Sequence, residues 1–445
     1  MKINLVLGVV AWAATASAYG AQIGLINLSG FAKDEVSVAN NVAPPTTNCF
    51  GDTRGVLGTA FPGCGAPTTT GTESTPTPMI QLTASTKHEF DSGWTVDGRL
   101  TKRIRNGSND IVGQYWFDKN IGVSYPTFGT IRVGTQLARA WSRQDAFSYP
   151  IGLSSPWSES GAGFGLFPQS IRYTTPQINV SVGKLTLEAT YATETAYDTY
   201  FNKNPPVPVY TPTPQMLELF AQFSNQKNLI ELTLELSHGG AQSSWGKSPF
   251  VGAPGDPQTL PGTTTGRYSS IPRQSVAILE GDHWFNPQWM LTWGVRHSYW
   301  SGAALTCDYA VQYSGCVYNA GFNYSGLSGI NPGYAANVND FLLGISHYHG
   351  LWTYTAGMVY LGKAKTDNPT EWGQSNSAIF TNFGAYRKVP ELYRNLSVYG
   401  GLGYVHFGRL GPAPLSMPSN TAFAGIDPRT TRSGESLTLG VLVTF

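Results

Sequence analysis

The last eleven residues alternate between apolar and small or polar side chains, as a β-strand with two different faces does. One face carries Leu437, Leu439, Val441, Val443 and Phe445, and the other carries Ser436, Thr438, Gly440 and Thr444. Only Leu442 interrupts the alternation. A strand of about ten residues with an apolar outer face is what a transmembrane β-barrel requires. A soluble edge strand can also alternate, so the rest of the chain has to decide between the two.

The same period of two recurs in sixteen segments bounded by turn-forming residues. The predicted strands are 23–38, 79–90, 94–105, 114–125, 129–138, 169–176, 184–192, 215–224, 228–237, 273–284, 289–299, 340–349, 352–362, 377–388, 396–407 and 435–445. The sequence therefore predicts an all-β fold, a 16-stranded antiparallel up-and-down transmembrane β-barrel. The barrel has to close, because an open sheet edge in lipid leaves backbone groups unpaired.

The connections between the predicted strands alternate in length. Short turns fall at 91–93, 225–227, 286–288 and 390–395, and long loops fall at 39–78, 139–168, 193–214, 238–272, 300–339, 363–376 and 408–434. Outer-membrane barrels have tight periplasmic turns and longer external loops. Placing residue 23 and Phe445 on the periplasmic side puts every long loop outside.

The facing of each strand follows from its alternation. In 228–237 four aliphatic side chains oppose Glu231, Thr233, Glu235 and Ser237, and in 94–105 Val96, Leu100 and Ile104 oppose Asp97, Arg99, Arg103 and Arg105. A charged side chain on the lipid face costs about 2–4 kcal/mol near the midplane, so we expect these charges to face inward. We therefore predict a wet pore lining rather than a packed interior.

The N-terminus has the three parts of a secretory signal. Lys2 provides the positive charge, residues 3–14 are mostly apolar, and Ala16-Ser17-Ala18 is a small-residue cleavage site. A membrane-anchoring helix is the alternative, but the apolar stretch is too short for one. We expect a signal peptide at 1–18 and a single barrel domain at 19–445, exported to the outer membrane.

Composition fits this class. Only 12% of the residues are charged, whereas the chain has 51 Gly, 23 Tyr, 21 Phe and 12 Trp. Aromatic side chains suit the two interfacial girdles of a barrel, where they meet lipid headgroups. The net charge of +1 gives no reason to expect a nucleic-acid partner.

The four cysteines form two close pairs within loop-like stretches. Cys49 is near Cys64, and Cys307 is near Cys316. In an oxidising compartment we expect two local disulfides. Zinc binding is the alternative, but neither pair has Cys-x-x-Cys spacing or nearby histidines.

Two short motifs resemble the Gram-negative general porins, betaproteobacterial type. They are Gly129-Thr-Ile-Arg-Val-Gly-Thr-Gln136 and Gln169-Ser-Ile-Arg-Tyr-Thr-Thr-Pro176, which flank 139–168, the third external loop of the predicted barrel. Gln169 and Thr135 depart from the residues that are usual in that family. The resemblance implies a homotrimer of sixteen-stranded barrels, each with a third loop folded inward to narrow a water-filled channel.

Carried over by position, the resemblance makes 139–168 the constriction loop, whose charged residues are Arg139, Arg143, Asp145 and Glu159. The matching basic pore wall comprises Lys87, Arg99, Arg103, Arg132 and Arg172, all inward by strand parity. Charges that face each other across such a gap would orient dipolar solutes. The alternative for each arginine is a structural ion pair with a loop carboxylate.

The sequence carries no motif that indicates catalysis. It has no nucleophile elbow, phosphate loop or dinucleotide fingerprint. His347 and His349 share a strand face, but two ligands rarely make a metal site. We therefore expect no enzyme activity, no cofactor and no bound metal.

The function expected from the sequence is passive diffusion of small hydrophilic solutes and ions across the outer membrane, with lipid around the barrel. Two alternatives stay open: a substrate-selective channel, and a structural or adhesive barrel whose pore is closed by its loops. The sign of any ion selectivity does not follow from the residues.

Overall fold

The structure is a computed structural model of the chain. It describes residues 22–23, 25–42, 71–76, 78–105, 116–142, 162, 165–194, 215–238, 273–301, 336–366, 376–410, 414, 416 and 431–445.

Sixteen long strands form the wall. They are β1 (Ile26–Val42), β2 (Met79–Glu89), β3 (Thr95–Arg105), β4 (Trp116–Tyr125), β5 (Gly129–Leu137), β6 (Leu166–Thr174), β7 (Gly183–Glu194), β8 (Gln215–Ser224), β9 (Asn228–His238), β10 (Arg273–Asn286), β11 (Trp289–Ser301), β12 (Ala336–His349), β13 (Trp352–Leu361), β14 (Ala378–Lys388), β15 (Leu396–Phe407) and β16 (Ser433–Thr444). Short segments add to the ladders of β1, β7 and β12, namely Gln22–Ile23, Gly71–Pro76, Ile178–Val180 and Lys365–Thr366.

Each long strand pairs antiparallel with the next, and the sheet closes on itself. The first and last strands pair from Phe31 opposite Thr444 to Ala39 opposite Ser436. Gly30 and Phe445 exchange two further backbone hydrogen bonds at 2.8 and 3.0 Å. Closure satisfies both edges of the sheet, and the predicted barrel is confirmed.

The predicted strands agree closely with the observed ones. β8 and β15 have the predicted bounds, and the largest differences are at the end of β1, which continues to Val42, and at the start of β12, which begins at Ala336. Two glycines allow the tight turns between strands, since Gly93 has a φ of 83° and Gly350 a φ of 57°. The boundaries follow the sequence closely because turn residues mark most of them.

On the side formed by β2 and β3 the barrel is apolar outside and polar inside, as the alternation predicted. Along β2 and β3, Leu82, Leu100 and Ile104 are 45%, 44% and 51% exposed, whereas Thr83 and Thr101 are buried on the inner face. Large apolar side chains are exposed in this way all round the wall. An apolar outer surface of this extent suits a lipid surrounding rather than water.

Helices contribute little to the described structure. One helical turn, α1 (Arg139–Ser142), follows β5. No helix among the described residues is long and apolar enough to cross a membrane.

Candidate functional site: the inner wall of the barrel

The third external loop, between β5 and β6, begins at the inner wall. Directly after β5, the amide of Ala138 donates to the carbonyl of Gly165 at 3.1 Å, which closes the base of the loop. Within α1, Trp141 is buried and its ring centroid lies 5.9 Å from that of Phe117. The chain therefore turns into the barrel where it leaves β5.

Glu218 of β8 holds α1 against the wall. Its Oε2 accepts the backbone N–H groups of Arg139 and Ala140 at 2.6 and 3.0 Å. These amides belong to the first turn of α1 and have no carbonyl partner within the helix, so a carboxylate suits them. The base of the loop is thus fixed by a residue 79 positions further along the chain.

Arg139 ties the same loop base to β7. Its Nε and Nη2 donate to the two carboxylate oxygens of Glu188 at 2.6 and 2.7 Å, a bidentate pair. Burial disfavours the charged guanidinium, but the hydrogen bonds and charge of Glu188 outweigh it and raise the pKa of Arg139. Arg139 therefore stays charged and anchored.

The other end of the third loop reaches a distant part of the wall. The amide of Ala162 donates to Oγ of Ser298 in β11 at 3.1 Å, and both residues are buried. Ala162 precedes β6 by only four positions, yet β11 lies five strands further round the barrel. This contact places Ala162 against the inner face of a strand far from β6.

An open recess of about 690 Å³ lies on the inner face of β1 to β6, bounded by α1. Five of the nine predicted pore residues line it: Lys87, Arg99, Arg132, Arg139 and Arg172. Asp97 and Asp118 are its acidic lining residues, and hydroxyl and amide side chains make up most of the remainder. The recess is therefore polar and rich in cationic groups.

The cationic side chains of the recess differ in their exposed fraction and in how tightly carboxylates bind them. The side chains of Lys87 and Arg99 are 64% and 51% exposed, the latter 3.2 Å from Asp118. Arg132 is held more tightly, since it donates to Asp97 at 2.5 Å and to Asn120 at 2.7 Å. Lys87 and Arg99 are thus the most exposed cationic side chains of the recess, and the Nζ of Lys87 lies 3.9 Å from Glu89.

Arg172 is mainly a structural tie. It donates to Oγ1 of Thr190 at 2.7 Å, to the carbonyl of Leu137 at 2.8 Å and to Oε1 of Glu218 at 3.3 Å. Its side chain is only 9% exposed. Arg172 therefore links three elements of the wall behind α1, and its charge is not free to face the recess.

Arg103 also faces inward but packs among aromatic rings. Its guanidinium lies 4.5 Å from the ring centroid of Phe117 and 5.9 Å from that of Trp141, and it donates to Gln81 at 2.9 Å. Such stacking on an aromatic face stabilises a guanidinium. Arg103 therefore helps to hold α1 against the inner wall.

Several predicted residues lie outside the described part of the chain. These are Arg143, Asp145 and Glu159 of the third loop, the signal peptide at 1–18, and all four cysteines, Cys49, Cys64, Cys307 and Cys316.

The opposite part of the inner wall is packed, which corrects the expectation of a uniformly wet interior. At the loop ends of β10 to β15, strand parity places a set of apolar side chains inward, and each is at most 2% exposed: Val276, Ile278, Val338, Val359, Leu361, Phe380, Val405 and Phe407. The prediction was wrong here because it rested on strands with charged inner faces. In β10, Val276 and Ile278 stand on the inner face where 228–237 has Glu and Thr.

A buried ion pair lies within this packed wall. Asp340 of β12 accepts two hydrogen bonds from Arg296 of β11 at 3.1 and 2.9 Å, and both side chains are essentially inaccessible. The other carboxylate oxygen accepts the amide of Gly362 and the hydroxyl of Ser416, each at 2.9 Å. Alternation along β11 places Arg296 inward with Thr292 and Ser298, but it does not identify the partners of Arg296, which lie on other segments.

The histidine pair on β12 is part of an aromatic stack on the outer face. The ring of His347 lies 4.2 Å from that of Trp289 and 6.2 Å from that of His349. Within the described residues, no group of three or more His, Cys, Asp or Glu is arranged to hold a metal.

The class that these features define is a closed sixteen-stranded barrel with a polar recess on its inner wall, and solved structures with the same fold exist. The chain is similar to the anion-selective porin from Comamonas acidovorans, with 13% identity, 94% of this chain and 99% of the other covered, and a TM-score of 0.55. It is similar to the loop L8 deletion mutant of OmpT, an outer membrane protein of Vibrio cholerae, with 10% identity, coverage of 94% and 99%, and a TM-score of 0.56. The outer membrane channel DcaP of Acinetobacter baumannii matches at 11% identity, coverage of 96% and 100%, and a TM-score of 0.54.

At these identities the likeness concerns the fold. No protein-family model and no curated protein sequence matches the chain. The porin-like fold predicted from the two sequence motifs is nevertheless confirmed.

Proposed function

We propose that the protein is an outer-membrane channel through which small hydrophilic solutes and ions diffuse passively. The observation that carries this proposal is a polar recess with exposed cations inside a closed barrel whose outer face is apolar. A wall of this kind separates a water path from lipid, and the charged groups at its narrow part select solutes. The fold shared with proteins described as a porin and a channel supports the proposal.

Location in the outer membrane belongs to the same proposal. The signal at 1–18 provides export, and the last strand, β16, closes the barrel against β1. Oxidation of the two cysteine pairs after export would form one disulfide within the external loop at 49–64 and one within that at 307–316.

A preference for anions is the charge selectivity that we propose. Lys87 and Arg99 are the most exposed cations of the recess, and the lining carries five cationic side chains against Asp97 and Asp118. Arg139 is paired with Glu188, and Arg172 is paired with Glu218. Because these carboxylates neutralise two of the five cations, we expect the preference for anions to be weak. One protein of the same fold is described as an anion-selective porin.

The remaining assignments extend the porin resemblance. Arg143, Asp145 and Glu159 contribute charge at the constriction, opposite the basic wall, and the barrels assemble as homotrimers. Solute passage through such a channel involves no catalysis and no cofactor.

The test is single-channel conductance of the refolded protein in a planar bilayer, with the reversal potential recorded in a salt gradient. We expect ohmic current and a reversal potential on the anion-selective side. Replacing Lys87 and Arg99 together by Met should move the reversal potential toward cations without abolishing current. The matched control is Lys388→Met, since Lys388 lies at the short-turn end of β14, away from the recess.

Three other results of this experiment would contradict the proposal, each in a different way. Stable insertion without current would refute a channel and favour a structural barrel. Small currents blocked by one class of solute would replace passive diffusion with a substrate-selective pathway. An unchanged reversal potential in the Lys87 and Arg99 variant would refute the proposed role of these two residues.

A further inference from the structure

Two lysines lie on the outer face of the wall, where the alternation otherwise places apolar side chains. Lys102 lies between the outward residues Leu100 and Ile104 of β3, and Lys119 precedes the outward Ile121 of β4. Lys119 is exposed, and Lys102 is half-buried. A charge on this face is costly in lipid, so both ammonium groups need a counter-charge.

The two lysines are neighbours across the ladder between β3 and β4. Leu100 is directly opposite Lys119, and Lys102 is opposite Trp116 after a shift of register at Thr101. The two lysine side chains therefore lie diagonally across one pair of strands. Their long stems can bring both ammonium groups to one ligand.

Trp116 marks the level of this pair in the membrane. The Nζ of Lys102 lies 5.3 Å from the centroid of the Trp116 ring, and Trp116 is exposed at the start of β4. This is the end of β4 opposite the short turn that leads to β5, and a tryptophan there suits the boundary between headgroups and acyl chains. Lys119 is three residues further toward the middle of the strand, from where its stem can extend back to that boundary.

The neighbouring outer face supplies no counter-charge. Among the described residues of β2 to β5, no acidic side chain is directed outward, and Asp97 and Asp118 line the recess inside. Lys102 and Lys119 form no ion pair within the described part of the chain. Their counter-charge therefore has to come from outside this part of the wall, and phosphate groups of lipids lie at the level of Trp116.

We propose that Lys102, Lys119 and Trp116 form a binding site for the phosphate-bearing headgroup of an anionic lipid, in the leaflet at the loop end of β3 and β4. The two ammonium groups bind the phosphate, and the Trp116 ring packs at the level of the headgroup. The site goes beyond the channel function, since it requires the barrel to lie in a membrane but does not depend on a current.

The test is lipid binding to the purified barrel in detergent, measured by native mass spectrometry. Dioleoylphosphatidylglycerol, which is anionic, and dioleoylphosphatidylcholine, which is zwitterionic, are titrated separately. We expect the wild-type barrel to bind the anionic lipid more tightly. The double variant Lys102→Met, Lys119→Met should bind the anionic lipid about tenfold to thirtyfold more weakly, because each lysine near a lipid surface contributes to the attraction.

Two further variants separate the site from charge in general. Lys227→Met with Lys388→Met removes the same total charge from the short-turn end of the barrel and should leave the affinity unchanged. Lys102→Arg with Lys119→Arg keeps both charges and should retain most of the affinity. Folding of every variant is checked by the mobility shift of unheated protein on a gel.

Equal affinity of the wild-type barrel for the two lipids would overturn the site, and so would equal affinity in the Lys102 and Lys119 methionine variant and its control. Displacement of the lipid by millimolar inorganic phosphate would indicate a site for free anions instead. Loss of the oligomer band in the methionine variant, with lipid binding unchanged, would assign the two lysines to a contact between copies of the chain. Binding as expected in a barrel without current would refute the channel function and leave the lipid site standing.

Discussion

Glu218 is the residue on which the base of the third loop depends. Its carboxylate accepts two amides of α1 and one bond from Arg172. Glu218→Gln keeps the shape but removes the charge, and hydrogen bonds to a charged group are worth about 1.5–3 kcal/mol each. We expect a loss of about 2 kcal/mol in the free energy of unfolding from lipid vesicles, measured by urea titration, and noisier single-channel current.

The control for this residue is Glu391→Gln. Glu391 is exposed in the turn after β14 and pairs only with Arg387, so its replacement should leave stability and current unchanged. If Glu218→Gln behaves like this control, α1 is held by its apolar contacts and Glu218 is dispensable.

Parity in the sequence placed single residues on the correct side of the wall but did not give their partners. Arg99, Arg132 and Arg172 face inward as predicted, because a charge on the lipid side would be costly. Their carboxylate partners come from other strands, and Glu218 is 46 positions from Arg172. Alternation within one strand contains no information about such pairs, which depend on register and on the path of the third loop.

At the scale of a strand, β2 allows the inside and the outside of the barrel to be compared directly. Leu82 faces outward and is 45% exposed, whereas Ser85 faces inward and lines the recess. Leu82→Arg should lower the free energy of unfolding from vesicles by about 2–4 kcal/mol if the position is near the midplane. Ser85→Arg should fold with nearly normal stability, because its guanidinium can remain in water.

A similar loss of stability in both variants would contradict the assignment of a wet recess at Ser85. A loss in neither would mean that Leu82 does not face lipid. The two positions lie on one strand and receive the same side chain, so differences in strand propensity cannot explain a contrast between them.

The strands could be predicted because each contains its own pattern and is bounded by turn residues. The packed inner wall could not, since in β10 the inward residues Val276 and Ile278 alternate with Ala277 and Leu279, which are also apolar. A strand that is apolar on both faces indicates that both faces are covered. The apolar run at 276–279 could therefore have predicted the packed inner wall. The described residues that contact this wall from outside the sheet, Ala162 and Ser416, belong to distant connections without a periodic pattern.

At the scale of the whole molecule, the outer surface has one acidic side chain in an unusual place. Asp34 of β1 faces outward between Ala32 and Val36, and it is paired in register with Val441 of β16. Its Oδ1 is buried and has no hydrogen-bond partner among the described residues. A carboxylate in that condition is unfavourable in lipid, but it is acceptable where another protein surface supplies donors.

The homotrimer proposed above gives Asp34 such a surface, and this leads to a prediction. Asp34→Leu should weaken the association of copies, seen as loss of the oligomer band of unheated protein on a gel, because it removes an acceptor from the contact. The single barrel should fold as before. Thr381→Leu, a polar-to-apolar change on the outer face of β14, should leave the oligomer intact. If Asp34 faced lipid instead, Asp34→Leu would remove an unfavourable charge, so the barrel would become more stable and the oligomer would be unchanged.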